Sequence, residues 1–351
     1  MSQALLVARN LTKCLGRRNT WLNRESRVFS ISDAPFVLNR GQTFGLVGES
    51  GSGKTTIARL LAHLTKADHG SVHFDGVDLG TLSGPALRRV RRRMQIVSQD
   101  PSAAFDPRVR IGSSIAGPIR LHGLRPDRDV AKRIEDLLGQ VGLTPDLANR
   151  FPHELSGGQL RRLAIARALA VEPDVIILDE VVSSLDVLVK SQILALLQNL
   201  QRDLGMAYVF ISHNIADLYR MADAVGVLLC GRIVENGSTH DVFASPRHPY
   251  TRALLDAATA KDGQQACSLS TPDLPSQTSI KTGCSFADRC PIMLQACREM
   301  QSKLSQTGGK DHLSACIRTH DLDAVSTPAV FTRPLSEKAR LRLNFISRVR
   351  E

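Results

Sequence analysis

The segment GESGSGKT, Gly48 to Thr55, has the residue types and spacing to hold a phosphorylated ligand. In the pattern G-x-x-x-x-G-K-[ST], glycines let backbone N–H groups turn inward around a phosphate. The lysine adds a point charge, and the final hydroxyl can join the shell of a Mg2+ ion. Here those groups are Gly48, Glu49, Ser50, Gly51, Ser52, Gly53, Lys54 and Thr55, with Thr56 continuing into a helix whose N-terminal dipole faces the same anion. Further along, VIILDE, Val175 to Glu180, is an apolar run ending in two carboxylates. Successive side chains on an extended strand point apart, so Asp179 can reach a Mg2+ shell while Glu180 polarises a water as general base. The chemistry these groups suit together is phosphoryl transfer to water.

Such groups must be held by rigid elements, and the flanking sequence supplies them. Residues 1 to 45 read as strands split by a polar stretch with Arg17, Arg18, Arg24 and Arg27, ending in Phe44 to Val47 just before the loop. Residues 57 to 66 continue helically, and Ser71 to Phe74 return to a β pattern. From about 100 to 155 the chain is rich in Pro, Arg and helix formers, which predicts a helical insertion. Val175 to Leu178 and Tyr208 to Ile211 are short, continuous apolar runs separated by a helical stretch from 186 to 203. Runs of that kind fit strands buried on both faces of a parallel sheet, so the expected class is α/β with a mostly parallel core sheet.

Hydrophobic residues at 42% and charged residues at 23% are ordinary for a globular protein. No window offers the roughly 18 uninterrupted apolar residues of a membrane span. The start MSQALLVARN lacks a basic segment followed by an apolar one, so the chain is expected to be cytosolic. Lys plus Arg, 45, exceeds Asp plus Glu, 34, giving a net charge of +11 and favouring anionic partners. With aromatics at 4% and no basic run interleaved with them, nucleic acid is not expected.

Between the two motifs, LSGGQ, Leu155 to Gln159, runs straight into LRRLAIARALA. With it the sequence resembles the ATP-binding subunits of ABC transporters, whose signature motif this is. The resemblance implies a P-loop NTPase core with an antiparallel β subdomain and a helical insertion. It also implies a head-to-tail dimer in which Ser156 and Gly158 of one subunit address the γ-phosphate of ATP held by the other. A Ser hydroxyl, glycine N–H groups and a helix start make a second anion cradle there. Gln99, in VSQDPSAAFDP, matches the Q-loop glutamine, implied to join the Mg2+ site to the insertion. SSLD, Ser183 to Asp186, matches the D-loop at the dimer interface, and His213, ending YVFISH, matches the switch histidine on the γ-phosphate. On this reading Lys54, Gln99, Glu180 and His213 carry catalysis, while Thr55, Gln99 and Asp179 hold Mg2+.

Some positions depart from the usual pattern. Val181 stands where Pro or Ala is common, and Asn214 where Asp is usual. Leu15 occupies the place of an aromatic that stacks on adenine, leaving Trp21 or Phe29 as substitutes. The signature helix reads GGQLRR in place of the commoner GGQRQR, expected to change surface charge more than chemistry.

ENGSTHDVFASPRHPYTRALLDA, Glu235 to Ala257, resembles the oligopeptide, dipeptide and nickel importer branch. Next comes Cys284-x5-Cys290-x6-Cys297-x18-Cys316, with Pro291 after the second cysteine. Four thiolates in 33 residues suit a [4Fe–4S] cluster or structural Zn2+. Paired C-x2-C steps are missing and a Cys-Pro step is more usual beside iron–sulfur ligands, so a cluster is the preferred expectation, with zinc or unliganded thiols as alternatives. The resemblance agrees, since some members of the branch carry such a cluster in this region. Asp288 and Arg289, inside the first spacing, are expected to face solvent. The expected division is an ATP-binding domain over 1–256, a linker over 257–282, a Cys-rich region over 283–320 and a basic tail over 321–351, solvated or touching lipid.

The resemblance implies an importer motor, peripheral on the cytoplasmic face of the inner membrane. Its partners would be a second ABC ATPase subunit, the same or different, separate membrane permease subunits and, indirectly, an extracellular solute-binding protein. A soluble scaffold or switch ATPase in an enzyme complex, such as one for phosphonate breakdown, is the alternative. A subunit that binds nucleotide without hydrolysing it is a third, which the intact set Lys54, Gln99, Asp179, Glu180 and His213 opposes.

Overall fold

Three apolar runs of the sequence form strands in which every residue is buried: Thr43–Val47, Val175–Asp179 and Ala207–Ile211. A strand without a polar side is one covered on both faces, the situation of a parallel sheet. The computed structural model describes residues 4–17, 27–183, 185–259, 283–307 and 311–319. Trp21, Ser184, the basic tail and the expected linker from residue 260 onward lie outside the described residues, as do the side chains of Leu15 and Phe29.

In chain order the strands are β1 (Leu6–Arg17), β2 (Arg27–Leu38), β3 (Thr43–Val47), β4 (His69–Phe74), β5 (Val77–Asp78), β6 (Met94–Val97), β7 (Val175–Asp179), β8 (Ala207–Ile211), β9 (Ala224–Leu229), β10 (Arg232–Ser238), β11 (Ser305–Gln306) and β12 (Leu313–Ser314). The helices are α1 (Lys54–Leu61), α2 (Gly84–Arg93), α3 (Ile111–Leu121), α4 (Asp127–Gln140), α5 (Gly157–Leu169), α6 (Val187–Leu204), α7 (Ile215–Met221), α8 (Thr239–Ala244), α9 (Pro249–Thr259) and α10 (Ala296–Glu299). They belong to two compact units: Met1–Asn39, Thr43–Gly80 and His213–Glu351 in the first, Arg40–Gln42 and Thr81–Ser212 in the second. Among the described residues no helix is long and apolar enough to cross a membrane.

In the first unit an antiparallel sheet runs β2-β1-β4-β5, with Leu6 facing Leu38 on one side and Phe74 on the other. All three side chains are buried, each contributing about 1.5–3 kcal/mol relative to exposure. Phe36 meets Phe44 edge to face at 4.5 Å, which seats β3 against this sheet. β3 pairs in parallel with β9, β9 turns back antiparallel into β10, and β12 adds to the edge of β10. The Cys-rich segment is therefore sewn onto the unit that holds the glycine-rich loop. Glu235 on β10 is fully buried, and its carboxylate accepts from Arg247 N–H at 2.7 Å and His248 N–H at 2.9 Å, with His312 Nε2 at 2.7 Å. Three partners are what a buried carboxylate needs, and here they tie β10 to the start of α9 and to the chain before β12.

In the second unit β6, β7 and β8 run parallel, with Met94 opposite Val175 and Val175 opposite Ala207. Asp174, before β7, pairs with Arg93 at 2.5 Å and Arg40 at 3.3 Å. Residues 100 to 155 contain α3 and α4, which bury Ile111, Ile115 and Ile119, and Val130, Ile134, Leu137 and Leu138. That spacing is the one apolar stripe an amphipathic helix presents. Asp186 caps α6 by accepting Val189 N–H at 2.9 Å, and Gly205, at φ 67°, ends it.

Candidate active site

The glycine-rich loop follows β3 and leads into α1, so a buried strand fixes one end and a helix the other. A Cβ on Gly48 would lie 2.2 Å from the carbonyl oxygen of Leu228 on β9, a clash that leaves only glycine there. Gly53 stands at φ 107°, a backbone conformation that side chains resist, and it opens α1. Between them Ser52 N–H bonds the Glu49 carbonyl at 3.2 Å, while Gly231 N–H bonds the Ser52 carbonyl at 2.8 Å. Lys54 is buried inside the loop, its ammonium donating to the carbonyls of Gly48 and Glu49, both at 2.9 Å. A positive charge is thereby centred in a ring of backbone, with Thr55 exposed at its rim. His213, exposed, stands at the entry to α7 in the same unit.

Asn214 next to it caps α7 with its side-chain oxygen, accepting from Ala216 and Asp217 N–H at 2.9 and 3.3 Å. Asn and Asp serve equally at such a position, which accounts for the departure from the usual Asp.

The second unit carries Gln99, Ser156, Gly158, Asp179 and Glu180. Asp179 is buried at the end of β7, whereas Glu180 is half-exposed, with φ 52°. A non-glycine residue in that left-handed region costs of order 1–3 kcal/mol and persists only where its surroundings enforce it. Its N–H bonds the Ile211 carbonyl at 3.0 Å, and its carbonyl accepts from Ser183 N–H and Oγ at 3.1 and 2.7 Å. Of the two adjacent carboxylates, then, one is buried and the other reachable from solvent. Val181 behind them is fully buried, filling by packing the place of the usual Pro or Ala.

Ser156 caps α5: its hydroxyl accepts Gln159 N–H at 3.3 Å, and Gln159 Oε1 accepts Ser156 N–H at 3.0 Å. This reciprocal cap uses the hydroxyl as acceptor and does not consume its O–H proton, which can still be donated to an anion.

Two expectations need correction. Arg161, in the GGQLRR variant, is only 6% exposed and is not a surface charge. Its Nη1 donates to the Ser183 carbonyl at 3.1 Å and its Nη2 to the Gln99 carbonyl at 3.2 Å. Burial draws its pKa down while the charge of Asp100 opposes that. Sequence reasoning missed this residue because its partners are main-chain atoms, which side-chain spacing does not reveal. Arg289 likewise does not face solvent: it forms a two-pronged pair with Glu49, at 3.0 and 3.4 Å. Asp288, by contrast, is exposed as expected, opposite Arg298 at 3.4 Å.

The four cysteines of the C-terminal segment line one small cavity together with Phe286, Ile292 and Ile317. Cys284 N–H bonds the Cys297 carbonyl at 2.7 Å, and Arg318 N–H approaches Cys316 Sγ at 3.4 Å. Burial raises the Cys290 thiol and pushes Cys316 up to about 11. Among the described residues no three His, Cys, Asp or Glu side chains converge closely enough to hold a single metal ion. Beside the cavity, burial lowers His248 to about 3, so its neutral ring accepts Tyr250 N–H at Nδ1, 3.1 Å away.

Residues 31–183 match the family described as ABC transporter, and residues 234–297 match the oligopeptide/dipeptide transporter C-terminal region. A putative peptide import ATP-binding protein of Brucella ovis is 42% identical over 316 residues, 90% of this chain and 98% of that one. The glutathione import ATP-binding protein of Escherichia coli is 47% identical over 283 residues, 80% of this chain and 45% of that longer one. Among solved structures, a dimeric ATP-binding cassette in a post-hydrolysis state with ADP and phosphate superposes with a TM-score of 0.60 at 25% identity, over 67% of this chain and 99% of that chain. A component of an ABC transporter complex from Clostridium perfringens gives 0.60 at 26%, over 69% and 91%.

Proposed function

Because the chain belongs to the ABC transporter family as an ATP-binding subunit with the oligopeptide/dipeptide C-terminal region, we propose that it powers import of a peptide-like solute through separate permease subunits. The observation that carries this is the 42% identity that spans 98% of a relative named for peptide import. In this reading Gly48, Glu49, Ser50, Gly51, Ser52, Gly53, Lys54, Thr55 and Thr56 hold the phosphates of ATP. Thr55, Gln99 and Asp179 hold Mg2+, which neutralises charge on the phosphates when bound. Glu180 orients and deprotonates the attacking water, and His213 donates to the γ-phosphate. Ser156 and Gly158 of a second ATPase subunit close over the nucleotide, with the hydroxyl proton of Ser156 available for that contact.

The chain would sit on the cytoplasmic face of the membrane through its permease subunits, fed by an extracellular solute-binding protein. In this reading the helical insertion of the ATP-binding domain, 1–256, pulls on the permease subunits, and a linker over 257–282 leads to the Cys-rich region over 283–320. For that region a [4Fe–4S] cluster on Cys284, Cys290, Cys297 and Cys316 is the favoured occupant. A single Zn2+ needs four sulfurs about 2.3 Å from one point. What supports a shared occupant is that the four thiols line one cavity, and N–H contacts to sulfur are among the levers that tune such clusters. Iron, sulfide and zinc analysis of the purified chain tests this directly.

The experiment for the main reading is purification of the chain with its neighbours, followed by Mg-ATP turnover. Membrane permease subunits should accompany it. Glu180→Gln should still bind ATP but hydrolyse it about 10²- to 10⁴-fold more slowly, the range general-base catalysis supplies. Near-normal turnover in that variant, or recovery with soluble enzymes alone, would overturn the assignment.

A further inference from the structure

Glu49 puts a carboxylate into a loop read as binding a polyanion, where an uncompensated negative charge opposes the ligand. Both of its oxygens are engaged by Arg289: Nη1 to Oε1 at 3.0 Å and Nη2 to Oε2 at 3.4 Å. This fork-to-fork geometry is the stronger, oriented form of such a pair. The side chains are only 17% and 21% exposed, so solvent screens them less than a surface pair. The guanidinium is itself held in place, 5.1 Å from the centre of the Phe286 ring and 6.0 Å from that of Tyr250. The same tyrosine, fully buried, accepts Glu49 N–H on its hydroxyl at 3.1 Å. The entrance of the loop is thus gripped by side chains 201 and 240 residues further along the chain. Arg289 directly precedes Cys290, within the Cys-rich segment.

We propose that Arg289 is a positioning residue for nucleotide. It neutralises Glu49 and fixes the mouth of the phosphate-binding loop, so the Cys-rich segment helps to set the affinity for ATP. This rests on the reading of Gly48 to Thr56 as the ATP loop, and it gives the C-terminal region a role in nucleotide binding beside any group its cysteines hold.

The test is a set of substitutions in the full chain, read by titration with a fluorescent ATP analogue and by steady-state ATPase kinetics. Arg289→Ala should raise Kd and KM for ATP about 5- to 30-fold, the equivalent of one or two kcal/mol, with kcat changed less than about threefold. Arg289→Lys, which keeps the charge and loses the fork, should recover part of that loss. In the E49Q background, where no carboxylate remains to be neutralised, Arg289→Ala should cost less than about threefold. A purely structural arginine would cost the same in both backgrounds, and that result overturns the inference. So does wild-type ATP affinity in Arg289→Ala. Should that variant fail to fold, Arg289→Lys with and without E49Q completes the same cycle. An unmodified chain that binds no nucleotide would defeat the family reading; equal binding by it and by R289A would defeat this inference alone.

Discussion

The loop Gly48–Thr55 and the segment Leu155–Gln159 are both glycine-bearing starts of helices, yet they are held in opposite ways. The first has no side-chain cap on its helix; beyond the local bonds of Lys54 and Ser52, it is fixed from afar, by Gly231, Tyr250 and Arg289. The second is held from within: Ser156 and Gln159 cap each other, and Arg161, two residues on, reaches the main chain at Gln99 and Ser183. A loop anchored by distant contacts can have its ligand affinity adjusted by the element that supplies them. One anchored by its own helix instead passes any disturbance to the loops that helix holds, here those bearing Gln99 and Ser183.

The sharpest way to break this contrast is Arg161→Ala. It removes two hydrogen bonds from a charged donor, worth about 1.5–3 kcal/mol each, and frees the backbone beside the proposed Mg2+ ligand and the D-loop. ATP turnover should fall about 10- to 100-fold if that disorder reaches the transition state at a cost of about 1.4–2.7 kcal/mol. Affinity of the first unit's loop for ATP should change less than about threefold, since the hydrogen bonds of Arg161 go to the Gln99 and Ser183 carbonyls. Arg161→Gln, the residue of the commoner motif, should recover part of the turnover. Parallel loss of affinity and turnover would show that the two cradles are not independently anchored.

A smaller effect is expected at Tyr250. Tyr250→Phe keeps the buried ring over Phe286, whose centre lies 5.5 Å away, and removes only the acceptor for Glu49 N–H. Leaving one backbone donor without its partner costs about 1–3 kcal/mol, to be read as a several-fold rise in Kd for ATP with turnover at saturation nearly unchanged. An unchanged Kd would mean that Arg289 alone fixes the loop entrance, and the comparison would then rest on one contact.

These two residues also mark how far the sequence could be read. The α/β class, the strands at Val175 and Tyr208, and the phosphate-binding and acidic motifs were legible because each is a local pattern: a continuous apolar run, a fixed glycine spacing, a strand ending in carboxylates. Asn214 was visible as a departure, and only its contacts show that it caps α7 as Asp would. What stayed hidden depends on long-range pairing. Nothing in RHPYT says that its tyrosine meets the phosphate loop, and nothing in the spacing Cys284-x5-Cys290 says that the arginine inside it is paired rather than exposed. The two-residue strands β11 and β12 carry no periodicity, since they are strands only by virtue of the edge of β10.

The smallest effect separates capping from ligand binding at Ser156. Its hydroxyl accepts Gln159 N–H, so Ser156→Ala should lower stability by about 1 kcal/mol while Ser156→Gly, a tolerated cap, should cost only a few tenths. Denaturant midpoints at unchanged slope measure both. If the two variants are equally stable as the parent, the hydroxyl is not anchoring α5. The second cradle would then lack the self-contained fixing that sets it apart from the first, and the whole weight of holding it would fall on Arg161.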